Sequence, residues 1–199
     1  MTSKPVAYRR KSASDRRQDL IRAGIDCLGR GGMVGFTIDE ICKQAGVSRG
    51  LINHHFDGKQ DLLLAIYAEM TEHLTQVPDK PTAEAVLASV IEVNFDENSV
   101  NNSNLRAWLS IWGQVPTHPG LSALHRERDR IYQQRIESAL REIAARDRLD
   151  LDCGSVARQL IALIDGLWLE YCLHSESFSL KAAREDCYRL LRNYGIDLS

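Results

Sequence analysis

Phe36-Thr37-Ile38-Asp39-Glu40-Ile41-Cys42-Lys43-Gln44-Ala45-Gly46-Val47-Ser48-Arg49-Gly50-Leu51-Ile52-Asn53-His54-His55-Phe56 is the stretch on which the fold of this chain turns. Thr37-Ile38-Asp39-Glu40 has the Ser/Thr-x-x-Glu form of a capping box, in which the Thr hydroxyl and the Glu carboxylate each satisfy a free N–H of a first helical turn. The spacing predicts a short helix to about Gln44, with Ile38, Ile41 and Cys42 inward. Ala45-Gly46-Val47 reads as a turn, with Gly46 at positive φ and Ala45 small enough to let two helices approach. Ser48 is the expected N-cap of a second helix, from Arg49 to about His55, and Phe56 is expected to plug the core behind it. Val47 and Leu51 or Ile52 would anchor that helix, leaving Ser48, Arg49, Gly50, Asn53 and His54 outward.

Two short helices across a tight turn, the second opening with small polar and basic residues, have the sequence form of a DNA reader. Arg49 can fork onto a guanine edge and Asn53 onto an adenine edge. Gly50 lets the backbone approach phosphate, and Thr37 and Ser48 put hydroxyls and free N–H groups at helix N-termini, where phosphate binds well. His55 and Lys59 complete the candidate DNA contacts. The plainer reading of the same spacing is a helical hairpin in an unrelated bundle.

Charge is compatible with the first reading, and equally with a basic tail on an ordinary surface. Residues 1–60 hold eleven Lys/Arg against six Asp/Glu, and the remainder fourteen against twenty-one, so a net charge of −2 conceals a basic third on an acidic body. That asymmetry suits a polyanion at one end only.

Outward from this stretch the hydrophobic period is helical almost throughout. A first helix is expected from Asp15 to Arg30, capped by Ser14, with Leu20, Ile21, Gly24, Ile25 and Leu28 inward and Gly29, Gly31, Gly32 and Gly35 ending it. A longer helix is expected from Lys59 to Gln76, with Leu62, Leu63, Ile66, Tyr67, Met70 and Leu74 inward. Five more are expected at about 82–95, 103–114, 119–146, 153–174 and 179–194, with Pro119 at a first helical position and Asp152 and Ser179 as N-caps. The fold class is all-α. A three-helix helix-turn-helix DNA-binding domain at 1–58 precedes a larger helical ligand-binding and dimerisation domain at 59–199.

With 199 residues, 44% hydrophobic and 26% charged, the chain has the make-up of a soluble globular protein. No apolar run approaches a bilayer span, and the basic N-terminus lacks the apolar core of a secretory signal, so the expected location is cytoplasmic. Five scattered cysteines without a CxxC read as buried, inert thiols and not as a disulfide or zinc framework. Nucleophile elbows, His-Glu-x-x-His and glycine-rich phosphate loops are absent from the sequence, so neither an enzyme, a cofactor nor a metal is expected.

All three tryptophans lie in the second part, at 108, 112 and 168. Trp108 and Trp112 share a helix face. With Phe95, and with Tyr132 and Tyr171 nearby, they could form an aromatic cage, while Asp96, Glu97 and Asp165 supply carboxylates. Such a cage holds a quaternary ammonium, because the ring face is electronegative and the cation cannot hydrogen-bond. Spacing alone favours a plain aromatic core. The effector-binding candidates are Phe95, Trp108, Trp112, Asp165 and Trp168.

Residues 20–62 resemble the DNA-binding domain of the TetR family. The resemblance rests on Phe36-Thr37-Ile38, Ile41-Cys42, Ala45 through Ile52, His55-Phe56, Lys59 and Leu62. Tyr is frequent in that family where this chain has Asn53 or His54, which implies a different recognised sequence. The resemblance implies a homodimer whose two recognition helices enter successive major grooves ~34–36 Å apart, with Arg9-Arg10-Lys11 and Arg16-Arg17 adding phosphate or minor-groove contacts. Asn94-Phe95-Asp96-Glu97, Ala107-Trp108-Leu109-x-Ile111-Trp112 and Ala162 through Leu169 resemble the BetI-type branch of that family, which controls glycine-betaine synthesis from choline. That resemblance implies a repressor of double-stranded operator DNA, released by a small-molecule effector such as choline. A multidrug or lipophilic-cation sensor of the same family, controlling an efflux pump, is the other reading.

Overall fold

The computed structural model describes residues 12–75, 80–96 and 102–198. Among them every regular element is a helix: α1 (Ala13–Gly35), α2 (Ile38–Ala45), α3 (Arg49–His55), α4 (Lys59–Thr75), α5 (Ala83–Asn94), α6 (Asn102–Trp112), α7 (Pro119–Asp147), α8 (Cys153–His174) and α9 (Leu180–Asn193). The all-α expectation holds. Among the described residues no helix is long and apolar enough to cross a membrane.

Local chemistry explains the starts. Asp152 accepts from Ser155 N–H at 2.9 Å and Ser179 from Ala182 N–H at 3.2 Å, as their sequence positions suggest. Pro119 stands in the first turn of α7, and His118 caps it, its Nδ1 accepting from Leu121 N–H at 3.1 Å. The first helix begins earlier than Asp15. Its cap is Ser12 and not Ser14, because Ser12 and Asp15 exchange side chain-to-backbone bonds of 3.0 Å in a complete capping box.

The glycine run is a second correction. α1 continues past Arg30 to Gly35, with its backbone leaving helical geometry at Gly32 (φ 58°, ψ −157°). Gly29 is a packing residue and not a breaker: a Cβ there would run into the Ser103 backbone of α6. The missing side chain lets α1 and α6 lie backbone to backbone.

The core is continuous from end to end. Leu20, Ile21 and Leu28 of α1 pack with Leu62, Leu63, Ile66 and Tyr67 of α4, all buried, and Ile25 is half-buried. The Leu74 side chain and Gln76 lie outside the described residues. α4 packs on α1 at one side and α7 at the other, while α6 packs on α1 and α8. The first four helices are thus tied to the remainder along two lines, α4–α7 and α1–α6. α8 buries Leu160, Ile164 and Trp168 inward, yet it leaves Leu169 and Leu173 44% and 64% exposed on its far side.

Candidate DNA-reading surface and aromatic cavity

α2 ends at Gly46, which is left-handed (φ 66°, ψ 39°) and donates its N–H toward the Cys42 and Lys43 carbonyls. Val47 N–H also reaches the Cys42 carbonyl, at 3.0 Å. These bonds close the last turn of α2 and swing the chain into α3. Ile41 and Ile52 are fully buried and Phe56 nearly so, which clamps α3 onto the core by one face. Its other face carries Ser48, Arg49, Gly50, Asn53 and His54, all exposed, beside an exposed Thr37.

Capping here differs from the sequence expectation. Thr37 Oγ1 accepts from Glu40 N–H at 3.2 Å, but the return bond is missing: Thr37 N–H goes to the Gly35 carbonyl, and Glu40 faces Lys43 at 3.8 Å. Ser48 occupies the N-cap backbone position of α3 without a side-chain cap bond. Arg49 forks onto Asp39 of α2, Nε to Oδ1 and Nη2 to Oδ2, each at 2.6 Å.

His55 and Lys59 sit deeper than the rest. His55 is half-buried and its Nε2 is enclosed without a hydrogen-bond partner. Burial, then the charges of His54, Arg17 and Arg16, hold its pKa below the usual histidine value. Lys59 Nζ lies 5.5 Å from the Phe36 ring centroid and the Arg17 guanidinium 5.0 Å from that of Phe56. Both cations rest on aromatic faces at the edge of the reading surface. Arg9-Arg10-Lys11 lie outside the described residues.

A cavity opens where α4, α5, α6, α7 and α8 converge. Trp108, Trp112 and Trp168 form its aromatic side, with ring centroids 5.6, 5.8 and 6.4 Å apart. Tyr67 of α4 meets Trp108 edge-on at 5.6 Å, and its hydroxyl shares a 2.7 Å hydrogen bond with His125 Nδ1 of α7. Asp165 of α8 and Asp129 of α7 bring two carboxylates to the wall, and Arg128 of α7 lines it as well. Burial, reinforced by Asp129, pushes the Asp165 carboxyl up to about 6. The space open to the centre of a water molecule is about 50 Å³. A single water needs ~10–15 Å³ on that measure, so the cavity admits a body of a few heavy atoms.

Asn94, the last residue of α5, organises the far wall. Its Nδ2 donates to the Val90 carbonyl at 2.7 Å and to Tyr132 Oη at 3.0 Å, and its carbonyl accepts from Trp168 Nε1 at 3.0 Å. Its Oδ1 is buried without a partner.

Of the five effector candidates, Trp108, Trp112, Asp165 and Trp168 line this cavity. Phe95 does not. It is wholly buried in the core beyond the α5 end, because the last turn of α5 aims Asn94 and not Phe95 at the opening. Tyr132 joins the lining, whereas Tyr171 turns away to meet Phe178 edge-on at 5.3 Å. Asp96 stands off the cavity, and Glu97 lies outside the described residues. Sequence reasoning missed Tyr67, Asn94, His125 and Asp129 as wall residues. A signal existed: His125, Asp129 and Tyr132 recur at i, i+4 and i+7, a polar stripe on one face of α7. Among the described residues no trio of His, Cys, Asp or Glu is set to hold a metal. Four cysteines are buried and Cys172 is half-buried.

Residues 20–66 match the family model described as bacterial regulatory proteins, tetR family, and residues 83–194 match that of the BetI-type transcriptional repressor, C-terminal. The chain is 34% identical over 176 residues to the HTH-type transcriptional regulator BetI of Cronobacter sakazakii, covering 85% of each. It is 31% identical over 183 residues to BetI of Ectopseudomonas mendocina, covering 88% of this chain and 91% of the other. A transcriptional regulator from Pseudomonas aeruginosa PAO1 superposes with a TM-score of 0.80 at 30% identity, over 96% of this chain and 95% of that one. A regulator from Saccharomonospora viridis, crystallised in complex with choline, superposes with a TM-score of 0.78 at 20% identity, over 90% and 96%. At that identity the likeness speaks to the fold.

Proposed function

Because this chain belongs to the TetR family and to its BetI type, and is therefore a transcriptional repressor and not an enzyme, we propose that its effector is choline or a closely related quaternary ammonium and that it controls betaine-synthesis genes. The observation that carries the reading is three tryptophan rings in the wall of a cavity that Asp165 and Asp129 also line, two carboxylates against the one arginine, Arg128. A trimethylammonium head offers no N–H, so a site must hold it by ring faces and net negative charge. Each well-placed ring contributes about 0.5–2 kcal/mol. The choline held by the Saccharomonospora regulator of the same fold lends support. The small volume favours a choline-sized body over the bulky aromatic cations of an efflux sensor.

On the DNA side we assign contact roles to Thr37, Ser48, Arg49, Gly50, Asn53, His54, His55 and Lys59. Arg49 and Asn53 read base edges, and the others hold phosphates. The division is a DNA-binding domain at 1–58 and an effector-binding and dimerisation domain at 59–199. TetR regulators are dimeric, and here α8 and α9 supply the paired surface, which would cover Leu169 and Leu173. Choline binding selects a conformer whose two reading heads are misplaced for the operator, and α4 transmits it, since Tyr67 stands in the cavity wall on the helix that leaves the reading head.

Choline titrated into the dimer should quench tryptophan emission and, over the same range, release operator DNA in a gel shift. No quenching and no release at millimolar choline would end the choline reading. Release by large aromatic cations alone would replace it with the efflux sensor.

A further inference from the structure

We infer that Asp39 is a specificity-determining residue of the DNA reader, acting as the positioning partner of Arg49. This rests on the assignment of Arg49 as a base contact. An arginine that opens an exposed helix has long, soft torsions, and a freely swinging guanidinium finds a phosphate as readily as a guanine. In this chain the guanidinium already has a partner on the neighbouring helix. Asp39, in the first turn of α2, accepts from Arg49 Nε and Nη2 at 2.6 Å each, although both side chains are more than 60% exposed. The carboxylate sits at a helix N-terminus, where the backbone N–H groups favour negative charge.

The geometry of the fork gives it a consequence. A guanidinium has two edges that can pair bidentately: the side edge, made by Nε and one Nη, and the end edge, made by the two Nη groups. Asp39 occupies the side edge. The end edge, made by Nη1 and the second N–H of Nη2, is left to pair bidentately with guanine O6 and N7. Held in this way, Arg49 presents one edge in one direction, and the ordering is completed before DNA arrives.

Asp39 also rejects. Its carboxylate stands beside the surface that meets DNA, where it repels phosphate. An Arg49 that left the fork for a backbone contact would leave that charge uncompensated against the polyanion. Guanine contact keeps the pair intact, whereas phosphate contact breaks it. Discrimination therefore comes from the penalty on the wrong partner as well as from the bond to the right one.

The test is selection of the full-length dimer against a randomised double-stranded DNA library, for wild type, Asp39→Ala, Asp39→Asn and Arg49→Ala. Wild type should enrich a two-fold site with one guanine per half-site that Arg49→Ala no longer selects. Asp39→Ala should cut the preference at that same position at least fivefold, leave the other positions within twofold, and tighten binding to unselected DNA. Asp39→Asn, which keeps the shape and one acceptor, should fall between. In the Arg49→Ala background, Asp39→Ala should change no base preference. If Asp39→Ala retains the full preference at the Arg49-dependent position, or weakens all positions alike, the inference fails and the reading-head assignment stands. If Arg49→Ala alters no base preference, the assignment fails and takes the inference with it. Unchanged circular dichroism melts confirm that each variant is folded.

Discussion

Asp165 concentrates the residue-scale chemistry. An aspartate ordinarily titrates near 3.8, and burial beside Asp129 raises this one to about 6 in the empty protein. The folded state therefore binds a proton that the unfolded state has released between those values. Stability from this group is largest at low pH and is lost as pH rises from about 3.8 to about 6. At pH 7 the empty cavity holds a carboxylate at a cost of about 1–3 kcal/mol, taking 1.36 kcal/mol per pKa unit. Asp165→Asn should consequently melt higher than wild type at pH 7 and lose that advantage below pH 4, in parallel calorimetric scans. The same variant should bind choline at least tenfold more weakly. Wild-type affinity, measured by calorimetric titration, should fall as pH drops below about 6, approaching tenfold per unit, and Asp165→Asn should flatten that profile. Trp112 is half-buried, so Trp112→Leu should leave the melt nearly unchanged while weakening choline by about tenfold, in line with one lost ring. A melt lowered as far as a core deletion would make Trp112 a packing residue and not a cage wall. At this scale the sequence was legible where identity implies chemistry. Trp108, Trp112, Trp168 and Asp165 could be nominated from identity alone, and all four line one cavity. Asn94 and His125 announce nothing until distant elements bring them to one wall.

Helices were legible because their signals are local. Periodicity of 3.6, Asp152 and Ser179 at caps, Pro119 in a first turn and Gly46 at a left-handed bend each act within a few residues, and each appears where its chemistry requires. Gly29 of α1 was misread for a matching reason, while Gly32 does leave helical geometry as a breaker would. A glycine that ends a helix and a glycine that admits a neighbouring backbone are the same letter, and only α6 distinguishes them. Gly29 faces the Ser103 backbone, so Gly29→Ala should not give the usual gain in helix propensity of about 1 kcal/mol. It should destabilise by about 2–3 kcal/mol through overpacking, read as a lower midpoint in urea. Gly31, which has open space around an added Cβ, is the control: Gly31→Ala should leave the midpoint equal or slightly higher. Equal effects at the two positions would mean that α1 and α6 separate easily, and that α6 does not bear on the reading head.

Two mechanical lines join the cavity to the DNA surface, and they can be separated. One is α6, which carries Trp108 and Trp112 and lies against α1. The other is α4, whose Tyr67 touches Trp108 and is tied to α7 through His125, while Gln60 at its start accepts from His118 Nε2 at 2.7 Å. His118 is suited to that donation, because its Nδ1 is already an acceptor for the α7 N-terminus. α4 is thus tied by hydrogen bonds at two points, once beside the reading head to His118 at the start of α7 and once in the cavity wall to His125. A ligand that displaces Tyr67 pulls on a helix that can answer only as a unit. Tyr67→Phe removes the hydroxyl but keeps the ring on Trp108, so choline should still bind within about threefold of wild type. What should fall is the coupling. Linkage makes the factor by which choline weakens operator binding equal to the factor by which operator weakens choline binding. Effector-induced release commonly spans 5–150-fold, and in Tyr67→Phe both factors should shrink together by at least fivefold, measured by operator affinity with and without choline and by choline affinity with and without operator. If both persist at the wild-type value, the message travels through α6 and α1, and Gly29 marks the place where it crosses.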